Sequence, residues 1–346
     1  MKTYEIVLKP LSGFGTPLKG DTLFGHICWQ AFYDANLFGN PADTLLSGYT
    51  MAPFLVLSSA HIILRNNGGT DRVFKRPDLP LSDIFEIEGQ EKKEIIRQRK
   101  NLKAKKWMIL SGSERIKSLK KAKYISDKDL FEKFISVSGE QIQKETRKKG
   151  VTGLVSDFTQ PHNTINRLTS TTGEGGFAPF TTDQKVFLTQ IELSVFAGVA
   201  DNIPIEQVLE ALKRIGESGF GKDASTGLGK FEIGDVAEID LSKIGCDAPN
   251  ACYTLAPSVP EKDEFRQMYF TPFTRFGKHG DTLAKSSNPF KNPVIMADEG
   301  AVLTPKNMND VLKRPYIGTG ITGISKAEPK TVMQGYSLYI PVKVEA

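Results

Sequence analysis

Cysteine is scarce. Three residues in 346 (Cys28, Cys246 and Cys252) cannot make a disulfide framework. Cys246 and Cys252 stand six apart with no histidine beside them, so no zinc site is expected. No apolar run approaches the roughly 20 residues that span a bilayer. The opening MKTYEIVLKP, interrupted by Glu5, is not a secretory leader. These absences point to a reducing, cytoplasmic setting with no membrane, metal or cofactor. Carboxylates do not cluster as a pair of catalytic metal ions would require. Nothing local suggests a Ser/His/Asp or Cys/His nucleophile. There is no tandem repeat and no low-complexity tract.

Negative charge is short in one segment only. Residues 91–150 carry 19 Lys/Arg against 8 Asp/Glu, a net of +11, while the whole chain is only +5; the remainder is therefore at −6. Two readings stand: a solvated helical face, or a surface for an anionic partner.

The order of elements is legible from periodicity. TYEIVLKP alternates as a strand, and DTLFGHICWQAFYDANLF places Leu23, Ile27, Ala31 and Ala35 on one helical stripe. Asp21 or Thr22 is the expected N-cap of that helix. APFLVLSSA follows as a buried strand. From about 65 to 180 the pattern is suspended. EKKEIIRQRKNLKAKKWMIL and SDKDLFEKFISVSGEQIQKETRKK read as two basic helices, the second opened by Ser126 and Asp129 as a near capping box. GLVSDFTQPHNTINRLTSTTGEGGFAPF reads as a long irregular loop or an extended hairpin, a kind of segment usually functional or disordered. KVFLTQIELSVFAG is then a long strand. IPIEQVLEALKRIGES is a helix with Pro204 near its first turn and Ile205, Val208, Leu209, Leu212 and Ile215 on one face. KFEIGDVAEIDL is a strand.

With the insert removed, the order is β-α-β, β-α-β, the split βαβ or ferredoxin-like/RRM-like plan of an α+β protein. A boundary near SKIGCDAPNA divides the chain into 1–245, with an insertion at about 65–180, and 246–346. The second part shows short strands and no strong helix, a degenerate α+β domain.

After the second long helix comes ESGFGKDASTGLGKFEI, with four glycines (Gly219, Gly221, Gly227 and Gly229), two lysines and a Ser-Thr pair. It has the glycines and lysine of a nucleotide P-loop, but Asp223 stands where a Mg²⁺-binding Ser or Thr belongs. The loop also follows a helix instead of opening one, so the negative end of the macrodipole faces it, which is wrong for phosphate. No dinucleotide fingerprint appears. A helix C-cap at Gly219 or Gly221 would explain one or two glycines. Four glycines with Lys222, Ser225, Thr226 and Lys230 suit close approach to an anionic chain such as an RNA backbone.

LKGDTLFGHICWQAF, PHNTINRLTSTTGEGGFAPF, SGFGKDASTGLGKF, SSNPFKNPVIMADEGAVL and QGYSLYIPV, in that order, resemble the RAMP superfamily of CRISPR-Cas proteins. Within it they are similar to the subunits that cap the 5′ tag of crRNA in type III-A effector complexes. The resemblance leaves out the basic insert. It implies two RRM-like domains and no chemistry of the chain's own. The implied partners are the crRNA, the target RNA through its guide duplex, the large polymerase/cyclase subunit and a backbone RAMP subunit. Carried over by motif, Gly219, Gly221, Lys222, Ser225, Gly227 and Gly229 would lie against the tag. His162, Asn163, Asn166 and Arg167 match the family's central motif, where relatives carry a protruding thumb.

The four histidines set the alternative. His26, in the first helix, and His162 are the residues a metal-independent RAMP endoribonuclease would use as general acid or base. The competing readings are a packing histidine at His26 and a base-stacking or hydrogen-bonding contact at His162, beside Asn163 and Arg167. His279 is either a turn residue or a contact. The leading expectation is a non-catalytic RNA-binding subunit of a type III CRISPR effector, with crRNA-processing endoribonuclease as the alternative.

Overall fold

The first strand, Lys2–Pro10, turns Ile6 and Leu8 into the core and sits in the interior of the larger sheet. A computed structural model describes residues 1–66, 69–87 and 91–345. The parts of the expected insertion at 67, 68 and 88–90, and residue 346 of the expected second domain, lie outside the described residues. The strand order in the larger sheet is Phe231–Glu238, Lys2–Pro10, Glu192–Val199, His61–Asn66, Gly69–Lys75, Trp107–Leu110, Lys123–Ile125, with Leu55–Leu57 also on Glu192–Val199. All these pairs are antiparallel. Two helices pack together beside it, Gly20–Tyr33 and Ile205–Ser218. Their inward stripes are Leu23, Phe24, Ile27 and Ala31, and Val208, Ala211, Leu212 and Ile215. That is the 3.6-residue spacing expected of helices burying one face.

The sheet does not stop where the sequence pattern is suspended. Gly69–Lys75, Trp107–Leu110 and Lys123–Ile125 continue it, so much of the insertion is built onto the first sheet. The first basic helix ends at Ala104, and the WMIL that follows is a strand. Met108, Ile109 and Leu110 are buried, and pairing with Gly69–Lys75 satisfies their backbone where a longer helix would leave them in solvent. The second basic helix is two helices, Asp127–Val137 and Glu140–Lys149, broken at Ser138–Gly139. Its N-terminus carries the full Ser126–Asp129 capping box. The expected long strand over 185–198 is also two strands, because Gln190 at φ 70° turns the chain out of a hairpin and into the sheet.

Asp21 is not an N-cap, and neither is Thr22. The helix starts at Gly20 after Lys19, with no side-chain cap. Arg275 takes the Asp21 carboxylate in a two-point pair, Nε to Oδ2 at 2.5 Å and Nη2 to Oδ1 at 2.8 Å. A bidentate charge-assisted contact outcompetes a single N–H cap.

The second sheet runs Phe265–Tyr269, Val302–Pro305, Ala251–Thr254, Tyr336–Val342, Tyr316–Gly318. Tyr253, Tyr336 and Leu338 belong to the same buried cluster as Ile6 and Phe196, so one continuous core joins the two sheets. The Gln334 side chain donates to Leu57 O at 2.7 Å and accepts from Leu57 N–H at 2.8 Å. Lys19 reaches Asp298 at 2.5 Å and Glu299 at 2.6 Å across the same junction.

Candidate nucleic-acid interface

The glycine-rich loop is stitched along its length to the loop after the first strand. Gly229 N–H donates to Gly13 O at 2.8 Å, Leu11 N–H to Lys230 O at 2.9 Å, and Lys230 N–H to Ser12 Oγ at 2.9 Å. Lys222 N–H donates to Thr16 Oγ1 at 2.9 Å. Phe14 then exchanges two backbone hydrogen bonds with Lys185, at the root of the Val155–His162/Phe180–Phe187 hairpin. Glycine loop, Ser12–Thr16 and hairpin root therefore form one connected surface. The role of Ser12–Thr16 was not anticipated from sequence. The glycines of SGFGTP were the only signal.

The six loop residues divide by direction. Gly219 is the C-cap of the helix at φ 101° and is buried, as is Gly229 at φ 74°. A Cβ on Gly229 would stand 2.1 Å from Phe220 O, so this glycine is required by packing. Gly221 faces Thr16, where a Cβ would meet the side chain at 2.5 Å. Gly227, at φ 98°, opens onto free space. Lys222 and Ser225, with Thr226 and Lys230, are exposed. Asp223 turns the loop in the left-handed region at φ 62°.

His26 holds this loop from the first helix. Its Nε2 accepts the Gly221 N–H at 3.1 Å, and its ring lies 4.7 Å from that of buried Phe220. Burial pushes its pKa down to about 4, so the ring is neutral near pH 7 with its Nε2 lone pair committed to the loop. His279 is buried and pairs with Ser325 at 2.7 Å.

The central motif forms the far end of an eight-pair hairpin. His162 is half-buried, 3.0 Å from Thr182 Oγ1 and stacked on Phe180 at 5.1 Å. Asn166 Oδ1 accepts the Leu168 N–H at 2.9 Å, and Asn166 O accepts the Ser170 N–H at 2.7 Å, which folds the tip on itself. Asn163 and Arg167 are exposed. Ile165, Leu168, Phe177 and Phe180 are exposed beside them, an unusual apolar load for an arm with no core of its own. A cavity of about 210 Å³ lies where the hairpin root, the Phe14 loop and the strand starting at Trp107 meet, with Lys19, Lys185 and Glu299 on its walls. Burial pushes the Glu299 carboxyl up, against the pull of Lys19.

Exposed Phe32 and Tyr33 lie against Trp29, and Phe276 and Phe290 are exposed as well. Among the described residues no His/Cys/Asp/Glu group could hold a metal ion, and no helix is long and apolar enough to cross a membrane.

No family model and no curated protein matches the chain. Solved structures do. A chain of the Csm3-Csm4 subcomplex in the type III-A CRISPR-Cas interference complex superposes with a TM-score of 0.57 at 14% identity, over 99% of this chain and 100% of that one. A chain of the Csm1-Csm4 cassette in complex with cA4 gives 0.54 at 12%, over 99% of both. Another, of the cassette with pppApA, gives 0.53 at 13%, over 100% of this chain and 99% of that one. The chain has the fold of a type III-A Csm-complex subunit. In this Csm-type fold the glycine loop and the hairpin, separate in sequence, share a wall through Phe14 and Lys185.

Proposed function

We propose that the chain is a non-catalytic RNA-binding subunit of a type III CRISPR effector, of the Csm4 kind, that grips the crRNA 5′ tag and bridges the large subunit to the backbone. The observation that carries this reading is the end-to-end match of the fold to chains of two-protein Csm assemblies. The strand order Phe231–Glu238, Lys2–Pro10, Glu192–Val199, His61–Asn66 with two helices supports a ferredoxin-like first unit. Residues 246–346 are read as the second unit.

The tag lies against Lys222, Ser225 and Gly227, the outward part of the glycine loop, while Gly219, Gly221 and Gly229 shape it from within. The hairpin reaches the guide-target duplex with Arg167 and Asn163, and its apolar tip wedges between nucleotides. The aromatic patch around Trp29 suits a protein neighbour, since large exposed aromatic surface marks interfaces. Lone-pair commitment of His26 to Gly221 opposes a general-base role, so the endoribonuclease reading is not favoured.

Co-expression with a type III repeat array and the partner subunits tests this. The purified chain should carry crRNA with an intact 5′ tag and retain both neighbours; recovery without RNA, or with RNA lacking the tag, would overturn it. Discrete cleavage of repeat RNA in EDTA would favour the enzyme instead.

A further inference from the structure

The excess positive charge of residues 91–150 is not spread evenly over its helices. In Lys92–Ala104 six cations (Lys92, Lys93, Arg97, Arg99, Lys100 and Lys103) accompany one acid, Glu94. All six are exposed, and none has an acidic partner among the described residues. Glu140–Lys149 differs in degree: of its four cations Lys144 pairs with Glu140 at 3.5 Å and Lys149 with Glu145 at 4.0 Å, each one turn apart, which leaves Arg147 and Lys148 without an acidic partner among the described residues.

The first helix is also arranged against its own stability. Lys93 and Arg97, and Arg99 and Lys103, are like-charged pairs four residues apart. Lys92 and Lys93 occupy the first turn, where the macrodipole already presents positive charge. No residue of this helix is buried; only Ile95, Gln98 and Leu102 are half-buried, on one stripe, toward the short helix Leu81–Ile84. Yet its end is tied down. The Arg76 guanidinium donates to the carbonyls of Leu102 at 3.0 Å, Lys103 at 3.4 Å and Lys105 at 3.0 Å. A helix tied at its C-terminal end with its cations unopposed fits a polyanion that neutralises them on binding. At about 1.5 Å per residue the cations extend over roughly 16 Å. Trp107, three residues beyond the helix, lines the cavity shared with Phe14 and Lys185. RNA on the glycine loop and hairpin root is thereby within reach.

We propose that Lys92–Ala104 is a sequence-independent clamp on the sugar-phosphate backbone of RNA, and that Glu140–Lys149 is not. This rests on the reading of the chain as an RNA-binding subunit and adds a second contact to it.

The test uses the full chain and two RNAs of equal length, one with the 5′ tag and one without, titrated across a salt series. A Lys92→Gln/Arg99→Gln/Lys100→Gln/Lys103→Gln variant is compared with Lys144→Gln/Arg147→Gln/Lys148→Gln/Lys149→Gln, which removes the same formal charge. Each lost single-strand phosphate contact lowers the slope of log K against log salt by about 0.7. The first variant should lose about 2.8 from the slope on both RNAs, and the second less than about 0.7. Should the first variant not fold, Arg99→Gln/Lys103→Gln, which relieves a like-charge pair, should keep its melting temperature and lose about 1.4. Equal losses in both helices would mean a general field and overturn the clamp. An unchanged slope, or loss of a partner protein in place of RNA, would overturn it too. If wild type still prefers tagged RNA in those cases, tag binding stands and only the clamp falls. If neither RNA binds, both fall.

Discussion

Two residues of the loop region separate packing from contact. Gly229 is pressed against the Phe220 backbone, whereas Gly227 faces free space. Gly229→Ala should lower stability by several kcal/mol, since either the loop or Phe220 must move. Gly227→Ala should cost only about 1 kcal/mol for its positive φ while weakening tag binding. Urea unfolding and RNA titration of both variants check this; equal stability loss would show that Gly227 is a packing glycine as well. The histidines add a pH dependence. Burial holds His26 and His61 at about 4, below their ordinary 6.5. With the folded value below the unfolded one, unfolding takes up protons between those values, so stability complete above pH 6.5 is lost as pH falls toward 4. For His61, buried between Phe74 and Phe196, the loss is roughly 3 kcal/mol; for His26, half-buried, it is smaller. Protonating His26 also removes the acceptor of the Gly221 N–H, so acid should loosen the loop. His61→Gln should flatten the drop in urea midpoint between pH 7 and 5, and an unaltered drop would clear His61 of the effect.

The hairpin is the element whose function depends least on the core. Its residues 156–161 and 171–181 are exposed, and its tip is held by its own hydrogen bonds. Arg167→Ala should therefore leave the melting temperature within a few degrees while impairing target engagement. Asn166→Ala is a poorer probe, because it removes the acceptor of the Leu168 N–H and so disturbs the tip as well. A large fall in melting temperature for Arg167→Ala, with RNA affinity kept, would make the tip structural. The sequence showed this segment as loop or hairpin, and it showed the two long helices, because local pattern alone fixes them. It did not show that WMIL is a strand or that the sheet continues through the insertion. Trp107–Leu110 is a short apolar run, and only its pairing with Gly69–Lys75 and Lys123–Ile125 tells it from helix. The contact of Ser12–Thr16 with the glycine loop was hidden for the same reason, as it spans more than two hundred residues. Asp21 was misread because its partner, Arg275, lies 254 residues away.

At the scale of the whole molecule the junction between the sheets governs how the chain unfolds. Ala251, Tyr253, Leu255, Leu338 and Ile340 are fully buried in the cluster that contains Leu23 and Phe196. Polar ties cross the same seam. Ser59 N–H donates to Leu255 O at 2.9 Å, and Tyr253 Oη donates to Lys75 O at 2.6 Å. Lys19 sits between Asp298 and Glu299 and over the Phe273 ring at 4.7 Å. Removing one partner of a buried ion pair costs more than the pair contributes, because the other charge stays unpaired in low dielectric. Lys19→Met leaves two carboxylates facing each other, one of them already pushed up by burial, and should cost roughly 2–4 kcal/mol, reduced toward the lower end because the site is partly solvated. A boundary near residue 246 in sequence thus does not imply two independently stable units. The chain should melt in one cooperative transition by both near- and far-ultraviolet circular dichroism. A fragment covering 246–346 alone should lack fixed tertiary packing, since Ala251, Tyr253 and Leu338 would lose their partners across the seam. Lys19→Met should shift the single transition without splitting it. Two separated transitions in the wild type, or a folded fragment with dispersed amide resonances, would show that each sheet carries its own core.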